Sequence, residues 1–503
     1  MSKSLQSQAP LKDLPIASVV DEVLEALHSG NVLLHAEPGA GKSTGMPLAL
    51  LQGAGIAGKI IMLEPRRLAA RGVAERLAAQ LGESVGERIG LRMRGMTRTS
   101  SSTRLEVVTE GVLTRMLQAD PSLEGIDLVI LDEFHERSLH ADLGLALCLE
   151  VQNALRPELR LLLMSATLAM ENLHQHLHQA TRIFCAARQF PVSIIWVGES
   201  QQALALRVSN VVLKAINEHQ GDVLVFLPGV AEIEKTATQL APRLGEQQVI
   251  CRLHSGVSVN EQRAATAPSS SAVRRIILST SIAETSLTID GVCIVVDAGL
   301  ERRGRVDSRS GAVLLETIKS NQSSATQRSG RAGRTAPGVC YRLWSEEGHG
   351  RRAENWQAEI QRADLAPLLM ELKLWGVNSV AQLPWLEPPP PAALARAEDL
   401  LERLGILELG QLTQHGRAVA RLPLHPRLGH MMIWAAQKGA GELSCSLAVL
   451  LDDLDRRREQ VDVEILLKNS PGKQQQERIK RLARELSGEL PPSETTSDAP
   501  SLG

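Results

Sequence analysis

Ala36-Glu37-Pro38-Gly39-Ala40-Gly41-Lys42-Ser43-Thr44 lies between the apolar run Val32-Leu34 and a helix-compatible segment. Strand, glycine turn and helix is the setting in which a phosphate loop works. The spacing fits that pattern except that Ala36 stands where a first glycine is usual. Glycines at 39 and 41 let backbone N–H groups converge on a β-phosphate, and the helix start adds a favourable dipole. Lys42 would reach the β- and γ-phosphates, and the Ser43 hydroxyl would bind Mg²⁺. Ala36, Glu37, Pro38, Gly39, Ala40, Gly41, Lys42, Ser43 and Thr44 together form the candidate nucleotide cradle. A plain glycine-rich turn is the alternative.

Outward from this turn, short apolar runs recur at Ile60-Leu63, Leu128-Leu131, Leu161-Met164, Val223-Leu227, Ile276-Leu278 and Ile294-Val296. Helix-period segments such as Leu68-Leu81 and Thr109-Leu117 lie between them. That alternation predicts α/β architecture with parallel sheets. Asp132-Glu133-Phe134-His135 closes the run Leu128-Leu131, so both carboxylates fall at the carboxyl edge of the sheet, where open α/β sheets bind ligands. Asp132 would hold Mg²⁺. Glu133, a second candidate metal contact, would orient and deprotonate an attacking water. Alone, such a pair reads as a solvated turn; downstream of a phosphate loop it reads as catalytic.

The sequence also echoes itself. Gly30-Asn31-Val32-Leu33-Leu34 followed by Pro38-Gly39 resembles Gly221-Asp222-Val223-Leu224-Val225 followed by Pro228-Gly229, and Leu128-Asp132 resembles Ile294-Asp297. The echoes predict two lobes of one strand-helix plan, divided near residues 185–200. The echoed turn has no Gly-Lys-Ser/Thr, so the second lobe must supply something else. Gln327-Arg328-Ser329-Gly330-Arg331-Ala332-Gly333-Arg334 spaces guanidiniums three residues apart, on one face if the segment is a helix. Arg331 and Arg334 could then act as arginine fingers on a γ-phosphate, with Gln327 helping to position the water. The alternative is a basic surface helix or a patch for a phosphate backbone.

Composition narrows the field. A chain of 503 residues exceeds what one core supports, and a 43% apolar share predicts folded domains. Aromatic residues make up only 2%, which excludes wide stacking platforms for bases. The net charge of −2 excludes an overall basic surface, so any nucleic-acid binding must be local. The six cysteines are scattered without a Cys-x-x-Cys pair, which argues against a zinc site or a disulfide framework. No apolar run approaches the ~18 residues of a membrane helix, and the amino terminus lacks a signal-peptide core. A cytoplasmic protein with no membrane partner is expected.

The order of motifs resembles that of superfamily 2 helicases of the DEAH-box group, most closely the bacterial HrpB-type helicases. The segments that carry the resemblance are Glu64-Pro65-Arg66-Arg67-Leu68-Ala69-Ala70-Arg71, Thr109-Glu110-Gly111-Val112-Leu113-Thr114-Arg115 and Asp132-Glu133-Phe134-His135-Glu136-Arg137-Ser138. Further along come Ser165-Ala166-Thr167, Leu253-His254-Ser255-Gly256, Ser279-Thr280 through Asp290, and Gln327-Arg334. The resemblance implies that Arg66, Arg67, Thr109, Glu110 and Thr280 grip the sugar-phosphate backbone of one strand without reading sequence. It implies that Ser165 and Thr167 link nucleotide state to lobe closure, that Arg76 stacks on the nucleobase, and that Asp290 lies near the nucleotide. Phe134 replaces the Ala of DEAH, and Ser281 stands where Asn is usual. Around Ala264-Ala265 an aromatic that sandwiches the base is missing, which implies weak discrimination among ATP, GTP, CTP and UTP. The segment after Asp290 resembles a strand-separating β-hairpin, with a plain surface hairpin as the alternative.

The expected organisation is a flexible start at 1–15, RecA-like lobes at 16–188 and 189–345, a winged-helix module at 346–390, a helical ratchet-like module at 391–488 and a disordered tail at 489–503. The chain stops where such relatives continue, and reads as a short form, a fragment or a truncated product. The implied function is ATP- and Mg²⁺-dependent RNA helicase activity on a single strand, 3′ to 5′, by a monomer. Two alternatives stay open: a strand-stimulated NTPase or clamp that does not unwind, and action on DNA, because backbone contacts say little about the sugar.

Overall fold

The computed structural model describes residues 14–53, 55–166, 177, 180–187, 190–267, 273–284, 289–306, 313–334, 336–452, 467 and 471–489. Residues 1–13 of the expected flexible start at 1–15, residues 490–503 of the expected tail at 489–503, and Thr167 lie outside the described residues.

The first sheet collects the apolar runs of the amino-terminal third: β1 (Val32–Ala36), β2 (Lys59–Glu64), β3 (Ile89–Met93), β4 (Met96–Arg98), β5 (Leu105–Thr109), β6 (Ile126–Leu131), β7 (Arg160–Ser165) and β8 (Thr181–Cys185). Their order across the sheet is β4-β3-β5-β2-β6-β7-β1-β8. The pairings from β3 to β8 are parallel, and only the β3–β4 edge is antiparallel. Runs such as Ile60-Leu63 and Leu128-Leu131 are continuous because helices cover both faces of a parallel sheet.

The second sheet contains β9 (Val192–Trp196), β10 (Asp222–Phe226), β11 (Gln248–Leu253), β12 (Arg274–Ser279), β13 (Val292–Asp297) and, after the strand pair β14 (Leu300–Val306) and β15 (Val313–Lys319), β16 (Gly338–Arg342). Its order is β11-β12-β10-β13-β16-β9, parallel throughout. This repeats the first sheet strand for strand: β3-β5-β2-β6-β7-β1 maps onto β11-β12-β10-β13-β16-β9. These are two RecA-like lobes.

The mapping corrects one echo. β10 corresponds to β2, and the counterpart of β1 is β9, so Pro228-Gly229 is not the partner of the glycine turn after β1. Apolar runs recur in every parallel strand, which makes their likeness a poor guide to which strands are equivalent. The second echo stands, since Asp132 and Asp297 do end equivalent strands.

Helices connect the strands: α1 (Val20–Ser29), α2 (Gly45–Gln52), α3 (Arg67–Gln80), α4 (Glu110–Ala119) and α5 (Leu139–Ala154) in lobe one, then α6 (Leu204–Glu218), α7 (Val230–Leu240), α8 (Val259–Thr266), α9 (Gln322–Ser329) and α10 (Glu346–Gly350). Contacts divide the chain into two units, with the lobes apart from residues 304–315, and residues 346–359 and 383–386, belonging to the first. Residues 352–354 are tied there by Arg352 Nη1 donating to Gly299 O at 2.8 Å and by Gln322 N donating to Ala353 O at 2.9 Å.

The second unit holds α11 (Ala366–Trp375), α12 (Pro391–Arg403), α13 (Gln414–Arg421), α14 (Pro426–Gln437), α15 (Gly441–Asp452) and α16 (Lys473–Glu489). Between α12 and α13 sits a hairpin of two two-residue strands, β17 (Leu407–Glu408) and β18 (Gln411–Leu412). Strands this short leave no alternation to read, so the segment looked wholly helical in the sequence. Within this unit His425 Nε2 meets Asp364 Oδ2 at 3.1 Å. His425 Nδ1 accepts the Arg427 N–H, so Nε2 carries the ring proton and donates.

Candidate active site

The turn after β1 is built by two glycines in left-handed conformation, Gly39 at φ +95° and Gly41 at φ +93°. A side chain at either position would be strained, and a Cβ at 41 would also meet Leu14 Cδ1 at 2.9 Å. The turn is anchored at its start. Glu37 N donates to Cys185 O at 3.2 Å, and Glu37 Oε2 accepts from Ala187 N at 2.9 Å, so this carboxylate faces the end of β8. Ala36, where a first glycine is usual, is fully buried at the end of β1.

Lys42 is buried between the two carboxylates that end β6, with Nζ 3.2 Å from Asp132 Oδ1 and 2.7 Å from Glu133 Oε2. Glu133 is non-glycine yet sits at φ +51°, a strained backbone that turns its side chain into the cleft while its N–H donates to Asp132 Oδ1 at 2.8 Å. Burial pushes the Glu133 carboxyl up, but Lys42 and then His135 outweigh it and hold it down at about 2. Burial likewise disfavours the charged Lys42, and Asp132 and Glu133 more than offset this, leaving its pKa above the ordinary value.

Behind this trio lies Glu64, from the end of β2, with no exposed surface. Both of its carboxyl oxygens and Asp132 Oδ2 are buried without a hydrogen-bond donor among the described residues. Burial, then the charges of Asp132 and Glu133, raise Glu64 well above the carboxylate range.

Lobe two closes the same cleft, a cavity of about 490 Å³ lined by Lys42, Ser43 and Thr44, by Arg76 of α3, and by Asp290, Gln327, Arg331 and Arg334. The expected shared helix face is not what aligns the arginines. α9 ends at Ser329, and Arg331 and Arg334 lie in the turn beyond, where Gly333 is pressed so closely on Phe190 that a Cβ would meet its carbonyl oxygen at 2.6 Å. Arg331 Nε donates to Glu284 O at 2.9 Å. Burial, then the adjacent Arg334, pull the Arg331 pKa well down, and burial pulls Arg334 down to about 10. Both guanidiniums line the cleft, where a low local dielectric strengthens their attraction for negative charge. Gln327 Nε2 donates to His135 Nε2 at 2.9 Å, and His135 Nδ1 lies 3.5 Å from Glu133 Oε2 and accepts from Ala166 N at 3.5 Å.

Sequence reasoning missed several lining residues. Glu284 and Thr266 line the cleft, as does Glu75, which reaches Arg263 of lobe two at 2.8 Å. Their contacts cross between distant parts of the chain and leave no local signature. Ala265 is buried in the lobe-two core, so the residue beside the base region is Thr266.

The five candidate strand contacts all lie outside the nucleotide cleft. Thr109 and Thr280 lie at the ends of the equivalent strands β5 and β12. Arg67 Nη2 donates to Arg94 O at 3.5 Å. Arg66 Nη1 donates to Ser281 O at 2.7 Å, and its Nη2 lies 3.2 Å from Glu136 Oε2. Glu110 accepts from the Ser138 hydroxyl, and burial, offset in part by that bond, pushes its carboxyl up to about 8.

Two parallel sheets of one plan, a glycine turn and paired carboxylates on the first lobe, and two arginines lining the cleft from the second define a helicase-type core. The chain belongs to the DEAD/DEAH box helicase family, whose model matches residues 18–176, and the model of the helicase conserved C-terminal domain matches residues 207–336. It is 45% identical over 94% of its length to the ATP-dependent RNA helicase HrpB of Escherichia coli, and covers 59% of that relative. Against the ATP-dependent RNA helicase HrpA of the same organism identity is 33%, over 90% of this chain and 36% of the relative. The crystal structure of the Escherichia coli DEAH/RHA helicase HrpB superposes with a TM-score of 0.88 at 44% identity, covering 94% of this chain and 61% of the other. The chain thus spans about three fifths of the HrpB relative's length.

Proposed function

We propose that this chain is an ATP-dependent RNA helicase of HrpB type that hydrolyses a nucleoside triphosphate in the cleft between its lobes while holding a single strand of RNA. The observation that carries this reading is the juxtaposition of Lys42 and Glu133 from lobe one with Arg331 and Arg334 from lobe two around one cavity. Gly39 and Gly41 open the backbone N–H groups toward the phosphates. Lys42 leaves the carboxylates for the β/γ-phosphates, Arg331 and Arg334 meet the γ-phosphate, and Glu133 takes a proton from the water that Gln327 helps to orient. Arg76 and Asp290 flank the nucleoside. Among the described residues no aromatic side chain lines this cleft, which supports ATP as the main substrate with other NTPs accepted.

The residues fit a Mg²⁺ ion. Ser43 lines the cleft, and Asp132 has a buried oxygen without a conventional donor, so Ser43 and Asp132, with Glu133 beside them, offer the hard oxygen set this cation takes. Bound there it would neutralise charge on the phosphate oxygens.

Arg67, Thr109, Glu110 and Thr280 contact the strand. The matched positions of Thr109 and Thr280 support a backbone grip repeated by the two lobes, with stepping as the cleft opens and closes. The lobe limits stay at 16–188 and 189–345, while the hairpin β17–β18 favours a winged-helix module that extends past 390. No helix among the described residues is long and apolar enough to cross a membrane, and the six free cysteines suit a monomer in the reducing cytoplasm.

The test is hydrolysis with and without single-stranded RNA. Glu133→Gln is expected to lower turnover by ~10²-fold or more, as loss of a transition-state group does. Unchanged turnover would sink the assignment. A duplex-displacement assay on the same protein separates a helicase from a clamp, and matched DNA competitors report the sugar preference.

A further inference from the structure

We infer that Arg66 is a positioning residue that ties the lobes together through Ser281 and Glu136, and does not hold the phosphate backbone of the strand. The inference rests on the hydrolase reading above and assigns Arg66 a different task within it.

Arg66 precedes α3, and its own carbonyl accepts from Ala70 N at 2.8 Å, so its backbone is fixed at the helix start. Its guanidinium bridges the lobes. Nη1 donates to Ser281 O in lobe two at 2.7 Å, while Nη2 pairs with Glu136 Oε2 of lobe one at 3.2 Å. The Ser281 carbonyl also accepts from Glu284 N at 3.0 Å, which closes the one-turn helix Ser281–Ala283. Three residues on, the carbonyl of Glu284 accepts Arg331 Nε at 2.9 Å. One short turn thus receives a guanidinium from each lobe: Arg66 at its start and the candidate finger Arg331 at its end. Thr280, the residue before the turn, belongs to the proposed strand grip.

The electrostatics oppose a phosphate at Arg66. Burial disfavours its charge, but Glu136, Glu284 and Glu133 more than offset this and raise its pKa. An incoming phosphate would meet a guanidinium already engaged by a carbonyl and a carboxylate, with three negative charges around it. α3 also touches lobe two a second time, through Glu75 and Arg263 at 2.8 Å, and carries Arg76, the next residue, on the cleft wall. Motion of the Ser281–Glu284 turn is therefore passed through Arg66 to the start of a helix that borders the nucleotide.

The experiment compares Arg66→Gln, Arg66→Lys and Arg67→Gln in the full chain, each first checked for an unchanged melting temperature. Amide exchange of residues 281–284 without ligand is expected to speed up in Arg66→Gln and not in Arg67→Gln; equal exchange in the two overturns the inference. With saturating single-stranded RNA, Arg66→Gln is expected to lower kcat about tenfold at unchanged nucleotide KM, the effect of ~1.4 kcal/mol, with partial rescue by Arg66→Lys. The salt dependence of nucleotide-free RNA binding separates the two roles. A lost phosphate contact flattens the log–log slope by about 0.7, expected for Arg67→Gln only. The same flattening in Arg66→Gln makes Arg66 a phosphate ligand and overturns the inference. If the wild-type chain neither hydrolyses NTP nor binds the strand, the functional reading fails, while the exchange result still decides the tie.

Discussion

Asp132 and Asp297 end equivalent strands, β6 and β13, and each is buried against a single cation, yet the two pairs serve different ends. In lobe one Asp132 meets Lys42 at 3.2 Å, on a glycine turn at the mouth of the cleft, and Glu133 shares the same ammonium. In lobe two Asp297 meets Arg328 at 3.0 Å, and that guanidinium also holds Glu284 at 2.9 Å and Glu301 at 3.3 Å. Arg328 is almost completely buried, far from any exchangeable partner. Lys42 can leave its carboxylates for a phosphate, while Arg328 cannot leave at all. The same fold position is a moving part in one lobe and a fixed post in the other. The post matters to the site because Glu284, which it anchors, presents the carbonyl that steers Arg331.

The strongest way to break this contrast is Arg328→Met. Removing the cation strands three buried carboxylates, and breaking a buried ion cluster in this way costs about 3–5 kcal/mol. A large drop in the unfolding midpoint of lobe two is expected, with hydrolysis lost as a consequence. If Arg328→Met left stability within ~1 kcal/mol and removed only turnover, Arg328 would be a moving part as well.

A milder pair of substitutions sharpens the comparison at the strands β1 and β9, which are also equivalent. Gly41 follows β1 at φ +93°, and Gly198 follows β9 at φ +84°. Alanine at either site meets the same left-handed strain, about 1–2 kcal/mol. The surroundings differ, because a Cβ at 41 meets Leu14 whereas nothing lies within 4 Å of one at 198. The Gly198 carbonyl is taken by Arg207, so this turn offers no cradle for an anion. Gly41→Ala is expected to reduce hydrolysis at least about tenfold, whereas Gly198→Ala shifts the melting temperature and leaves turnover unchanged. Equal losses of turnover would mean that the two turns are not functionally distinct.

The glycine turn, the Asp132-Glu133 pair and the Gln327-Arg334 run were legible in the sequence because each is a short string whose spacing is set by chemistry. Glu284, Glu64 and Thr266 were not. Glu64 belongs to a quoted motif, but its place against Asp132 follows only from β2 and β6 lying side by side. Arg66 is the opposite case. It lies in a motif that resembles a strand-binding one, while the two hydrogen-bond partners of its guanidinium lie 70 and 215 residues away. The end of α9 at Ser329 was masked by an arginine spacing that suits a helix and is used in a turn.

Glu110 gives the smallest predicted effect and a third case for the comparison, a half-buried carboxyl whose hydrogen-bond partner is the Ser138 hydroxyl and not a cation. Its folded pKa of about 8 lies above the ordinary 4.5, so the folded chain binds this proton more tightly than the unfolded one. Below pH 4.5 both states are protonated and the group contributes nothing. As pH rises toward 8 the unfolded chain ionises first and stability falls; above the folded pKa the penalty is complete. Glu110→Gln removes the titration and keeps a group able to bond Ser138. Relative to the wild type it is expected to be neutral at pH 4 and stabilised by about 1 kcal/mol at pH 8.5, a discount for the group's partial exposure to water. Paired melting curves at the two pH values measure this directly. A variant with the same advantage at both would mean that Glu110 is charged in the folded chain, held by a cation as Asp132 and Asp297 are.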